Sequence, residues 1–174
     1  MVRSRVFTLG PMSTAPTELP SSLLQSWISE LNRDLGWEGK VDDEGFCVFN
    51  GKDGQVVVVQ ADDRTGGLRF SAEVGGPVAA GDTVLPATLL TANYRGASVG
   101  AAFFSLHPED RRIQLELVWS DPDRGGIDRF ATLAARFSQL ADLSRQRISN
   151  GTLGEIWAVV DDPGSRAAGD MIRA

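Results

Sequence analysis

The sequence has one cysteine and one histidine among its 174 residues. Those two scarcities exclude a good deal of chemistry. With Cys47 alone no disulfide can close within the chain, and such usage fits a reducing compartment. A zinc or thiolate cluster needs several Cys or His ligands, so no metal site of that type is expected. Cys47 sits inside an apolar run and reads as a buried structural thiol, because a nucleophile needs a positive, exposed setting. His107 precedes Pro108 between two β-prone runs and reads as an exposed turn residue, not a general base.

Positive charge is also scarce. Lys and Arg total 17 against 23 Asp and Glu, a net charge of −6. Nucleic-acid binding needs clustered Lys and Arg on phosphates, and here Arg111-Arg112 is the only notable pair outside the first few residues. The same balance disfavours an anionic membrane surface, and no apolar run approaches the ~20 residues of a membrane span. The opening MVRSRVFTLGPMSTAPT lacks the apolar stretch of a secretory signal, so none is expected. The glycine pairs at 66–67, 75–76 and 125–126 do not form a phosphate-binding fingerprint. Asp121 to Gly125 faintly matches a calcium loop, but the glutamate needed at its twelfth position falls on Thr132. The carboxylate groups Asp42-Asp43-Glu44, Asp62-Asp63 and Asp161-Asp162 read as solvated turn or tail residues, not acid–base pairs. Asn150-Gly151-Thr152 is a glycosylation sequon only in a secreted eukaryotic chain. No catalytic, cofactor-binding or metal-ligating residue is therefore expected, and no cofactor.

What the chain does have is apolar periodicity, with 42% apolar residues to build a core. Residues 1–19, rich in Ser, Thr and Pro, read as a flexible arm, 20–150 as the folded domain and 151–174 as a C-terminal extension. Leu23, Leu24, Trp27, Ile28, Leu31 and Leu35 recur at helical spacing. Ser22 with Gln25 fits a capping box at the start of this helix, and Gly36 ends it. Phe46 to Phe49 and the unbroken Val56 to Val59 are strands joined by a hairpin loop at Asn50 to Gly54; the second reads as covered on both faces or central. Leu68, Phe70, Ala72 and Val74 alternate with polar residues and form a third strand.

Leu85 to Trp119 then reads as a short apolar helix, stopped by Gly96, that feeds a hydrophobic hairpin. Ile113, Leu115, Leu117 and Trp119 face one way, Gln114 and Glu116 the other. Phe103 and Phe104 are adjacent, so one fills the core and the other needs cover from a helix, a tail or another subunit. A long amphipathic helix is expected from Gly126 to Ile148, closed by Asn150-Gly151. Beyond it Leu153, Ile156, Trp157, Val159 and Val160 form one more apolar patch that could pack back on the domain. The order α-β-β-β-α-β-β-α predicts an α+β sandwich, an antiparallel sheet packed by helices.

That order, with the segment LLTANYRGASVGAAFFSLHPEDRRIQLELVW, resembles the class I type III secretion chaperones, the CesT/SycE or Tir-chaperone family. The resemblance runs from Leu23 to Ile148. It implies a bacterial cytoplasmic homodimer without enzymatic activity. Such a dimer binds the N-terminal segment of a secreted effector, keeps it extended and delivers it to the secretion apparatus. The partners implied are the effector segment, a second copy of the chain and, at delivery, the secretion ATPase. Carried onto this sequence, the resemblance puts the dimer contact at Leu89, Leu90, Asn93, Tyr94, Ala102 and Phe104. It puts effector binding at Leu24, Trp27, Ile28, Leu31, Phe46, Val48 and Phe70. The alternative is a YbjN-like regulatory or protein-interaction domain without an export client.

Overall fold

The computed structural model describes residues 19–50, 54–95 and 102–153. Nearly all of the expected arm, the tip of the first hairpin loop, Gly96 and the chain beyond Leu153 lie outside them. The elements follow the expected order: α1 (Pro20–Leu35), β1 (Phe46–Asn50), β2 (Val56–Asp62), β3 (Gly67–Pro77), α2 (Val84–Arg95), β4 (Ala102–Leu106), β5 (Arg112–Trp119) and α3 (Gly126–Ser149). A single 3-10 turn at Pro122–Arg124 precedes α3. All five strands join one antiparallel sheet in the order β1-β2-β3-β5-β4.

Period-two alternation divides the sheet into a covered and a bare face. Val57, Val59, Phe70, Leu115 and Ile113 are almost fully buried beneath the helices. Each such side chain contributes about 1.5–3 kcal/mol by leaving water. From α1, Trp27 stacks on Trp119 at 5.9 Å and leans on Phe130 at 5.5 Å. From α3, Phe130 and Phe137 meet Phe70 at 5.9 and 5.8 Å. Both helices thus lie on the same face. Gly125 lets them close: the Trp119 indole lies against its α carbon, where a β carbon would collide.

The first helix ends as expected, at Gly36 with a left-handed φ of 68°. Its start is different. The N-cap is Leu19, Pro20 opens the helix, and no side chain of the segment caps it. The capping box expected at Ser22 and Gln25 does not form. Instead Asp63, in the turn between β2 and β3, accepts the Ser21 N–H at 2.9 Å and the Ser21 hydroxyl at 2.7 Å. A carboxylate at a helix N-terminus is favoured by the unpaired N–H groups and the helix dipole. The cap is tertiary, so no local motif announces it.

Both sheet edges are partly closed. At β4 the Asn93 side chain of α2 donates from Nδ2 to the Phe104 carbonyl and accepts the Phe104 N–H at Oδ1, both at 2.7 Å. One amide thereby takes the place that a neighbouring strand would fill. At β1, Val41 bridges to Cys47, and Asp42 N–H donates to the Phe46 carbonyl at 2.9 Å.

Candidate interaction surfaces

The bare face of the sheet is the candidate site. Cross-strand register runs from Val48 through Val58, Ser71 and Glu116 to Phe103. A second row runs from Phe46 through Gln60 and Arg69 to Val118. Apolar side chains therefore gather at the two margins, with a polar stripe between them. On the β1–β2 margin Val48 is 51% and Val56 46% exposed, with Phe46 and Val58 half-buried beside them. On the β5–β4 margin Val118 and Phe103 are exposed.

The stripe is built around Glu116. This carboxylate is only 8% exposed although it lies on the bare face. Arg69 Nη1 donates to its Oε2 at 3.2 Å and the Ser105 hydroxyl donates to its Oε1. A buried carboxylate with both oxygens satisfied is tolerable; stripped of its donors it is costly. At the end of the stripe Arg112 donates to the Glu73 carboxylate at 2.8 Å and sits 3.0 Å from Asp110. The Arg112 backbone N–H, and after it His107 and the Arg112 guanidinium, hold the Asp110 carboxyl below the usual range.

A second apolar surface lies on α2, where Val84, Leu90 and Tyr94 are 74%, 69% and 92% exposed. Three large side chains in water on one helix make α2 a candidate contact surface. It adjoins the β4 edge through the Asn93–Phe104 clamp, so Leu90, Tyr94 and Phe103 share one end of the molecule. The sheet's polar stripe separates this end from the β1–β2 margin.

The residues expected from the sequence divide on these surfaces. Of the dimer candidates, Leu90 and Tyr94 point outward. Leu89, Ala102 and Phe104 are buried within the chain at about 4% exposure, and the Asn93 amide is spent on the β4 edge. The adjacent phenylalanines are thus corrected. Phe104 pairs with Leu115 on the covered face, and the one left in need of cover is Phe103. Of the effector candidates, Phe46 and Val48 lie on the bare face. Leu24, Trp27, Ile28, Leu31 and Phe70 are core residues, because Trp119, Phe130 and the sheet close over the apolar side of α1 from Leu23 to Leu31. Val56, Val58, Phe103 and Val118 were not anticipated. The unbroken Val56–Val59 run does not mark a strand covered on both faces, since one face of β2 is bare.

The scarce reactive side chains lie away from these surfaces. Cys47 is buried and its thiol is pushed up by burial. His107 lies in the β4–β5 turn with Nδ1 3.0 Å from Asp110. Among the described residues no group of His, Cys, Asp and Glu is placed to hold a metal ion, and no helix is long and apolar enough to cross a membrane.

The model of the Tir chaperone protein (CesT) family matches residues 26–141. No curated protein sequence matches the chain. Among solved structures, a chain of the HopA1-SchA chaperone–effector complex matches at 11% identity and a TM-score of 0.60, over 75% of this chain and 99% of that one. A chain of the ExsC-ExsE complex matches at 16% and 0.61, over 72% and 93%. YbjN from E. coli matches at 16% and 0.50, over 77% and 97%. At these identities the likeness is one of fold.

Proposed function

The chain belongs to the Tir chaperone protein (CesT) family, and from that premise we propose that it binds the N-terminal segment of a secreted effector. It keeps that segment extended and hands it to the type III secretion apparatus, acting as a cytoplasmic homodimer without catalysis. The observation that carries this reading is the division of exposed apolar surface into two patches. One patch serves self-association and the other serves the client.

Self-association falls to Leu90 and Tyr94 of α2 with Phe103 of β4. A stable dimer buries roughly 1,600 Å² in total, within reach of a helix, an edge strand and several large side chains. The client falls to Phe46, Val48, Val56 and Val58. With the strand edges closed at Phe104 and at Phe46–Cys47, the client's apolar anchors lie on the face of β1 and β2, and main-chain pairing is confined to the Val48–Asn50 end of β1. Several anchors, each burying apolar area, offset the cost of ordering an extended segment.

The test is co-expression with secreted proteins encoded at the same locus. One of them should co-purify and gain protease resistance over its N-terminal segment. Val48→Asp with Val56→Asp should lose that client and keep the dimer. Leu90→Asp with Tyr94→Asp should give monomer in sedimentation. A wild-type chain that sediments as a monomer at micromolar concentration refutes the dimer, and capture of a folded partner alone supports a YbjN-like regulatory role instead.

A further inference from the structure

Between the apolar margins of the bare face lie polar groups that make few bonds within the fold. The side chains of Gln60, Ser71 and Gln114 are half-buried and, among the described residues, make no hydrogen bond. Arg69 is exposed and spends one of its five N–H donors, on Glu116 at 3.2 Å. Glu116, itself held by the Ser105 hydroxyl, tethers that guanidinium. Arg112 is instead taken up by Glu73 and Asp110. Arg69 is thus the cation of this stripe with donors to spare.

An extended chain laid on the face brings main-chain N–H and C=O groups out of water. Each one left without a partner costs about as much as a lost hydrogen bond. The strand edges that could pair with them are largely taken, by Asn93 at β4 and by Val41 and Asp42 at β1. The Asn93 amide shows what can stand in for a strand: it accepts the N–H and donates to the C=O of one residue, Phe104. Glutamine carries the same amide one methylene further out.

We propose that Gln60 and Arg69 clamp the main chain of an extended client that crosses the face from Phe46 to Val118. These four residues are register neighbours on β1, β2, β3 and β5. The Gln60 amide takes the N–H and C=O of one client residue. The unspent Arg69 donors take a neighbouring carbonyl, whose negative end is complementary to the guanidinium charge. Phe46 and Val118 lie three strand spacings of about 4.8 Å apart, and an extended chain advances about 3.3 Å per residue. The client's two apolar anchors therefore stand four residues apart, on the same side of its chain. The residues between them are held by their main chain, so their side chains are free to vary. The clamp rests on the reading that this face takes an extended client; it adds the path of that client's main chain and Val118 as its second anchor.

The probe is a twelve-residue Gly/Ser peptide with two leucines four positions apart, titrated into the full chain and followed by nuclear magnetic resonance. The Gln60 side-chain amide and the Arg69 Nε–H should shift together with the Val48 and Val118 methyl groups. Replacing the amide midway between the leucines by an ester should weaken binding about fivefold, the worth of one hydrogen bond. Gln60→Ala should weaken it as much, and in that variant the ester should cost nothing further. Arg69→Lys keeps a charge beside Glu116 but loses the fork, and should also weaken the peptide several-fold. Methyl shifts without side-chain N–H shifts overturn the clamp, as do an ester that binds equally well and a peptide that does not bind. A client that co-purifies yet binds Gln60→Ala and Arg69→Lys as tightly as the wild type removes the clamp and leaves the function proposed above standing. A peptide held by the clamp when no client is captured removes that function and keeps the clamp.

Discussion

Replacing Asn93 by Ala removes both hydrogen bonds that the α2 side chain makes to the Phe104 backbone, each 2.7 Å long. A typical intramolecular hydrogen bond nets about 1 kcal/mol, and a buried backbone group left without a partner costs about 1–3 kcal/mol. The clamp is only partly buried, so water can satisfy part of what is released. The expected loss is therefore about 2–3 kcal/mol, near the lower end of the range for two fully buried bonds. For a domain of this size about 1 kcal/mol moves the melting midpoint by roughly 3–5 °C, so the variant should melt about 6–15 °C lower. Urea unfolding followed by circular dichroism gives the free energy directly.

Asn93→Asp sharpens the test. Its carboxylate can still accept the Phe104 N–H but opposes the Phe104 carbonyl, where only a protonated acid can donate. Its folded pKa should lie above the ~3.9 of an unfolded aspartate. Protonation then favours the fold: the variant's deficit is present above the folded pKa and shrinks as pH falls through it. The reasoning fails if Asn93→Ala unfolds within about 0.3 kcal/mol of the wild type, well under the cost of one lost bond.

Three further outcomes are expected. Phe104→Ala should cost about 3–4 kcal/mol in unfolding by leaving a cavity above Leu115; Phe103→Ser should leave stability within about 0.5 kcal/mol and weaken self-association in sedimentation. Gly125→Ala should lower stability by about 1–3 kcal/mol through overpacking, with loss of near-ultraviolet ellipticity as the Trp119 ring is displaced. Asp62 is held below the usual carboxylate range by its bond with Thr65 and the backbone N–H of Arg64. A depressed carboxylate stabilises the fold above its unfolded pKa and loses that contribution as pH falls through the folded one. In acid titrations of thermal stability, Asp62→Asn should therefore lose less than the wild type below about pH 4.

Much of the fold was legible in the sequence, because strand alternation and helical spacing are local. Ile113, Leu115, Leu117 and Trp119 lie on the covered face of β5 as their spacing requires, and Gly36 ends α1 where the apolar stripe ends. The surfaces were less legible because exposure depends on what covers a residue. Trp27 and Ile28 looked like the margin of a wide stripe, yet Trp119 and Phe130, distant in sequence, enclose Trp27. Which phenylalanine turns outward depends on the pairing of β4 with β5, which puts Phe104 opposite Leu115. The cap on α1 comes from Asp63, 42 residues after Ser21. An unbroken valine run carries no alternation, so it gave no hint that one face of β2 is bare.

The closed edges have a consequence for a protein whose work is to hold chains unfolded. A strand with free main-chain groups is a template, and an extended segment held at high local concentration is its natural substrate. The Asn93 amide at β4 and the Val41–Asp42 bridge at β1 interrupt that templating at both ends of the sheet. A guest seated as proposed on the face would be gripped chiefly by side chains that release it one at a time, and less by a ladder of main-chain bonds that would have to be unzipped. On the proposed reading, the margins of the sheet would make that grip reversible.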